Sequence, residues 1–169
     1  MKQTFFLNLI LLLLLAFNIA NAQNKKPVVL DGWKKIEACG VAFYAPPDLE
    51  EEQVRGIDSC VKRYRSKNIL LNLDVLGYKL KESASRQDEY SDEKDFQIVK
   101  TKIDTRKAEV ITHYETENSE QFKGLPYSAT LFVPQMRKDC CNLTIWTNSR
   151  TTEDRETAKK IFETVRIDK

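Results

Sequence analysis

The stretch YSATLFVPQMRKDCCNLTIWTNSRTTEDRETAKKIFETVR, from Tyr127 to Arg166, decides the fold. Ala129, Leu131 and Val133 alternate with Ser128, Thr130 and Phe132, a period of two that predicts a strand over 128–133. Residues 142–147 repeat the pattern, with Leu143 and Ile145 on one face. Then the period lengthens. Ala158, Ile161, Phe162 and Val165 stand at i, i+3, i+4 and i+7, the spacing of one helix face. Thr151, three residues before Asp154, is a fitting N-cap: its hydroxyl can take an orphan backbone N–H, and the carboxylate sits at the positive helix end. A helix with a single apolar stripe needs a sheet to cover, and the strands before it supply one.

Upstream of this unit the chain reads as a succession of short strands. Residues 32–38 form a first strand carrying Trp33 and Ile36, broken by Gly40, and 41–45 form a second, with Val41 and Phe43 on one face. Pro46 and Pro47 stop it, because neither can donate to a ladder. Residues 48–56 are acidic and then polar, and are expected to be a loop or a single helical turn. Residues 57–65 and 69–76 read as a hairpin around Ser66-Lys67-Asn68, the second arm placing Ile69, Leu71, Leu73 and Val75 on one face. Residues 96–103 and 108–115 make another hairpin around 104–107. Successive hairpins imply an antiparallel arrangement. The fold class is therefore α+β: an antiparallel sheet of about seven to eight strands with a C-terminal helix packed on one face.

The first residues look like an export address. Lys2 supplies a positive start, residues 9–17 are apolar, and Ala20-Asn21-Ala22 is an A-x-A cleavage site. The reading is a signal peptide over 1–22, cut after Ala22, a flexible segment over 23–31, and a single α+β domain over 32–169. The expected location is secreted or periplasmic. The apolar run falls short of the about 20 residues a membrane span needs, and no later segment reaches that length, so no membrane span is expected once the signal is removed. Lys and Arg number 27 against 25 Asp and Glu. So even a balance argues against a nucleic-acid or polybasic membrane binder.

The cysteines are Cys39, Cys60, Cys140 and Cys141. In an oxidising compartment they are disulfide candidates, and four cysteines allow three pairings. If 41–45 and 59–65 were adjacent antiparallel strands, Cys60 would lie far from Cys39, beyond the roughly 4.4–6.8 Å a bridge tolerates between Cα atoms. A bridge between adjacent residues is strained. At least one bridge is therefore expected to tie Cys39 or Cys60 to the Cys140–Cys141 corner.

The order of elements resembles the PsbP-like fold. The resemblance rests on Gly40, Phe43 and Pro46 at an early strand end, two central hairpins, and a final strand–strand–helix closing on Ile161-Phe-Glu-Thr-Val-Arg166. The phrases Gly56-Ile-Asp-Ser59 and Thr151 to Ile161 are also similar to small exported bacterial proteins of unknown function. The resemblance implies an antiparallel sheet flanked by helices, and a family of photosystem subunits and small binding adaptors with no shared catalytic site. No functional residue is carried over from it.

The residues themselves carry no coherent catalytic set. His113 is the single histidine; it alternates with Glu109, Ile111 and Glu115 and is expected to face solvent from a strand. There is no C-x-x-C, so zinc is not expected. Ser59 in Gly56-Ile-Asp-Ser-Cys60 is not a nucleophile elbow. No Walker or G-x-G-x-x-G loop exists, and no cofactor is expected. The acidic run Asp88, Glu89, Asp92, Glu93 and Asp95 within 77–95 is a surface loop whose oxygens are a conceivable calcium site but lack EF-hand spacing. Lys62, Arg63 and Arg65 around Tyr64 read as a solvated strand edge, with Tyr64 packed on the other face. Asn142-Leu-Thr144 is a glycosylation sequon. The function expected is an exported, non-enzymatic binding or accessory module contacting a protein or other envelope component through the sheet face away from the helix or through the 77–95 loop. The alternatives are a hydrolase-type enzyme whose carboxylates (Asp58, Asp74, Glu109, Glu115) converge only in three dimensions, and a structural envelope protein.

Overall fold

The computed structural model describes residues 30–56, 59–76, 94–115, 122–138 and 141–168. The expected signal peptide and residues 23–29 lie outside them, as do Asp58, Cys140 and the acidic residues Asp88, Glu89, Asp92 and Glu93. Among these residues ten strands and one helix follow in order: β1 (Lys34–Ala38), β2 (Val41–Ala45), β3 (Glu50–Glu52), β4 (Ser59–Arg65), β5 (Ile69–Leu76), β6 (Lys94–Ile103), β7 (Arg106–Tyr114), β8 (Tyr127–Val133), β9 (Asn142–Ser149), α1 (Thr152–Glu163) and β10 (Arg166–Ile167). They build two antiparallel sheets rather than one. The larger has the order β3-β4-β5-β9-β8-β7-β6, and the smaller β1-β2-β10.

One face of the large sheet is apolar by strict alternation. Leu73 pairs with Ile145, and Ile145 with Leu131; these three form one row, all fully buried. Leu71, Ala129 and Leu143 extend it. Helix α1 packs on β8, β9, β5 and β2, setting Ala158, Ile161 and Phe162 against that face. The small sheet covers the rest. Val41, Phe43 and Ala45 of β2 join the same core, and the Phe43 ring meets Tyr64 edge-on at 6.1 Å. Burial there pushes the Tyr64 hydroxyl up to about 12.

The helix begins where the sequence places it. Thr151 accepts the Asp154 N–H and the Asp154 carboxylate accepts the Thr151 N–H, a complete capping box. At the other end the Thr164 hydroxyl donates to Ile161 O at 2.7 Å and accepts the Tyr44 N–H at 2.9 Å, tying the helix end to β2. The chain then turns into β10, beside β2. Asp104, in the β6–β7 turn, accepts the Ile167 N–H at 3.0 Å and so links the two sheets.

Four sequence expectations need correction. Residues 48–56 hold a strand, β3, rather than only a loop. Glutamates are poor strand formers, but Glu51 pairs with Lys62 and Glu52 with Arg65 of β4, and these cross-strand ion pairs hold the edge. The bridge expected between the early cysteines and the 140–141 corner is not formed: Cys39 bonds Cys60, Cα to Cα 5.7 Å. The expectation assumed that β2 and β4 are neighbours in one sheet. They lie in different sheets, and Cys39 sits at the tip of the β1–β2 hairpin, where the disulfide staples the small sheet to β4. Cys39 and Gly40 both have positive φ (56° and 75°), as a two-residue I′ turn requires. Cys141 is also disulfide-bonded, and its partner is outside the described residues. The third correction is Asp95, expected in the acidic loop. It belongs to β6, at a bulge between Lys94 and Gln97, exposed and with φ of 59°. The fourth concerns His113 and is taken up with the polar face.

Candidate functional site

The second face of the large sheet obeys the same alternation with different chemistry. Its rows run across β5, β9, β8 and β7. Asp74 stands opposite Thr144, which stands opposite Phe132 and then Glu109. The next row is Asn72, Trp146, Thr130 and Ile111, and the next Leu70, Asn148, Ser128 and His113. Glu115 follows one step beyond His113 on the same face, its N–H donated to Pro126 O at 2.8 Å. Most of these side chains are buried. Asn72 and Asn148 are 1% exposed, His113 and Ser128 4%, Thr144 5%. His113 was expected in solvent because glutamates flank it on its strand; the face it shares is enclosed, and its Nε2 lies 3.4 Å from Glu115 Oε1.

A cavity of about 360 Å³ follows this face diagonally. Leu76 and Asp74 close one end and Glu115 and Phe122 the other. Between them the floor is Thr144, Trp146 and Thr130, then Asn148, Ser128 and His113. The volume falls in the usual range for small-ligand pockets. Among the described residues Asp74 and Glu115 are the carboxylates of its lining, and none of those lining residues is Lys or Arg. The arginines of β4 on this face are engaged: Arg63 donates to Asn72 Oδ1 at 2.7 Å, and Arg65 to Glu52.

Several polar atoms here have no hydrogen-bond partner in the protein: Thr144 Oγ1, Asp74 Oδ1, Asn72 Nδ2 and Glu109 Oε2. Burying such atoms unpaired costs about 1–3 kcal/mol each, more for a charge. Asp74 shows the strain. Its carboxyl is pushed above the ordinary carboxylate range by desolvation, against which a hydrogen bond from Ser59 works only in part. Asn148 Nδ2 reaches Leu125 O at 3.5 Å.

Two kinds of catalysis fit this geometry poorly. Asp74 and Glu109 share a row but are three strand spacings apart, about 14 Å between backbones, whereas paired-carboxylate hydrolysis wants roughly 5–10 Å between the carboxyl groups. Asp74 and Glu115 are further apart still. Ser128, His113 and Glu115 suggest an acyl-transfer triad, since Ser128 and His113 are direct cross-strand partners. Yet β7 and β8 are paired on both sides, so their ladders use the backbone N–H groups that would form an oxyanion hole. Among the described residues, the backbone N–H groups of β7 and β8 are therefore not free to face a developing oxyanion.

Other features are quieter. A second cavity of about 470 Å³ by β3 is lined by Glu51, Glu52, Arg55 and Lys62, and its Lys62 and Glu51 already pair with each other. Asn142 of the sequon is 4% exposed and its Oδ1 accepts the Gln135 N–H at 3.0 Å, so it is built into the fold. Among the described residues no group of three or more His, Cys, Asp or Glu is arranged to hold a metal ion, and no helix is long and apolar enough to cross a membrane. The sequence reading offered the sheet face away from the helix as a contact surface but not the residues that meet there, because they sit on five separate strands. The available signal was the polar half of the alternation in 69–76, 127–133 and 142–149. No protein-family model and no curated protein matches this chain, so its function is argued from this geometry.

Proposed function

We propose that this chain is an exported, non-enzymatic binding module that holds a small ligand in the polar groove of the large sheet. What carries the reading is the buried Thr144 Oγ1 and Asp74 Oδ1, both unpartnered, on a 360 Å³ cavity. A fold selected for stability alone gains nothing from them. The intramolecular Cys39–Cys60 disulfide fits an oxidising compartment, which supports export. One helix on an antiparallel sheet also supports a PsbP-like assignment, a family reading that leads to binding rather than catalysis.

The test is protein-observed NMR of the purified protein against a library of small polar compounds. Binders are expected to move resonances of Thr144, Trp146, Asn148 and Ser128 together and to lose affinity in Trp146→Ala. A library in which every binder acts elsewhere, or in which a compound is turned over at the groove, would overturn the reading.

A further inference from the structure

The groove has a shape and a charge pattern that narrow its ligand. Its length follows from register. Asp74 and the position of Glu115 are separated by three strands and by three rows of the pleat, roughly 25 Å between backbones before twist is counted. The two side chains reach inward from opposite ends. The middle is lined by hydroxyls (Thr144, Thr130, Ser128), the Asn148 amide, His113 and the Trp146 ring. Each end therefore offers a carboxylate, and the stretch between offers hydrogen-bond acceptors and an aromatic face. Glu109, one row-mate of Asp74, adds a further unpaired carboxylate oxygen on the same face.

Resting on the small-ligand reading above, we infer that the ligand is a linear organic polycation: an aliphatic polyamine with an ammonium at each end. One ammonium sits against Asp74 and the other against Glu115, and the chain between lies along Trp146. Ammonium groups supply only donors, matching a lining whose charged groups only accept. Methylenes and cationic nitrogens both gain from the indole face. An anion would meet two carboxylates, with no Lys or Arg among the described lining residues. A compact ligand would reach the carboxylate at one end only.

The experiment is calorimetric titration of the purified protein at 0.15 M salt with spermidine, putrescine, maltotriose and citrate, repeated on Asp74→Asn, Glu115→Gln and the double variant. Both substitutions keep side-chain size, and circular dichroism melts establish that each variant folds. Spermidine is expected to bind one to one. Each single variant should weaken it about tenfold or more, and the double variant more than either, since each charged hydrogen bond is worth a tenfold factor or larger. Putrescine, too short to span the ends, should bind more weakly and respond to only one of the two substitutions. Spermidine binding that survives in the double variant would overturn the assignment of the ends. Binding of maltotriose or citrate in place of the amines would overturn the polyamine inference and leave the small-ligand module standing. Failure of all four probes to bind would overturn both.

Discussion

Leu73 and Asp74 are neighbours in one strand, yet they belong to two different proteins in physical terms. Leu73 points into a layer closed by α1 and β2, in a row with Ile145 and Leu131, both aliphatic and fully buried. Asp74 points to the other side, where its row partner Thr144 has an unpaired hydroxyl and its own carboxyl is pushed up by burial. The two faces share strands, twist and register. They differ in how their groups are satisfied: one face is closed by packing, and the other carries a cost in desolvation that the proposed ligand would offset. A sheet buried on both sides can thus separate stability from function by residue parity alone.

The comparison breaks most visibly at Leu73. Leu73→Ala should cost about 2–5 kcal/mol in urea denaturation, because the closed layer cannot collapse around the gap. A loss well under that would mean that the apolar layer is looser than its burial implies. The disulfide comes next. It clips the small sheet onto the apolar face at a sequence separation of 21, and replacing both Cys39 and Cys60 by serine should cost roughly 3 kcal/mol by loop entropy. Equal denaturation midpoints with and without reductant would contradict it. Thr151→Ala removes one half of the capping box and should cost about 1 kcal/mol, read as a lower melting temperature with the groove unaffected.

The smallest effect sharpens the contrast. Asp74 has a folded-state pKa raised by desolvation, so the folded protein holds that proton more tightly than the unfolded chain. Stability linked to this group is fully present below the ordinary aspartate range and is lost as the pH rises through the raised folded value. Asp74→Asn removes that loss. The variant should melt higher than the wild type at pH 7, with the difference shrinking as the pH falls into the ordinary aspartate range. Among the described residues the charged groups on the same face are Glu50 and Glu52 of β3, Arg63 and Arg65 of β4, Lys100 and Lys102 of β6, Lys107 and Glu109 of β7, and Glu115 just beyond it, with the His113 imidazole beside them. A constant difference across pH, measured by melts from pH 3 to pH 8, would assign the change to packing instead.

Much of the fold was legible in the chain. The β5 alternation over 69–76, the change of period at 151 and the Thr151–Asp154 cap all act within a few residues, and the structure has each where the sequence places it. The site was less legible. The alternation of β5, β8 and β9 located the polar positions but not whether water or protein lay above them, and on β7 the flanking glutamates assigned His113 to solvent although it is buried. Glu50 to Glu52 became a strand only because β4 brings Lys62 and Arg65 alongside.

By itself, then, the sequence determined the local periods, the helix and its cap, and the α+β class, because these follow from residue spacing and neighbouring hydrogen bonds. Only the tertiary structure decided that β9 lies between β5 and β8, that Cys39 meets Cys60, and that Asp74, Trp146, Ser128 and Glu115 line one groove. Those facts depend on contacts between segments tens of residues apart, set by how two sheets and a helix share one core, and no spacing along the chain encodes them.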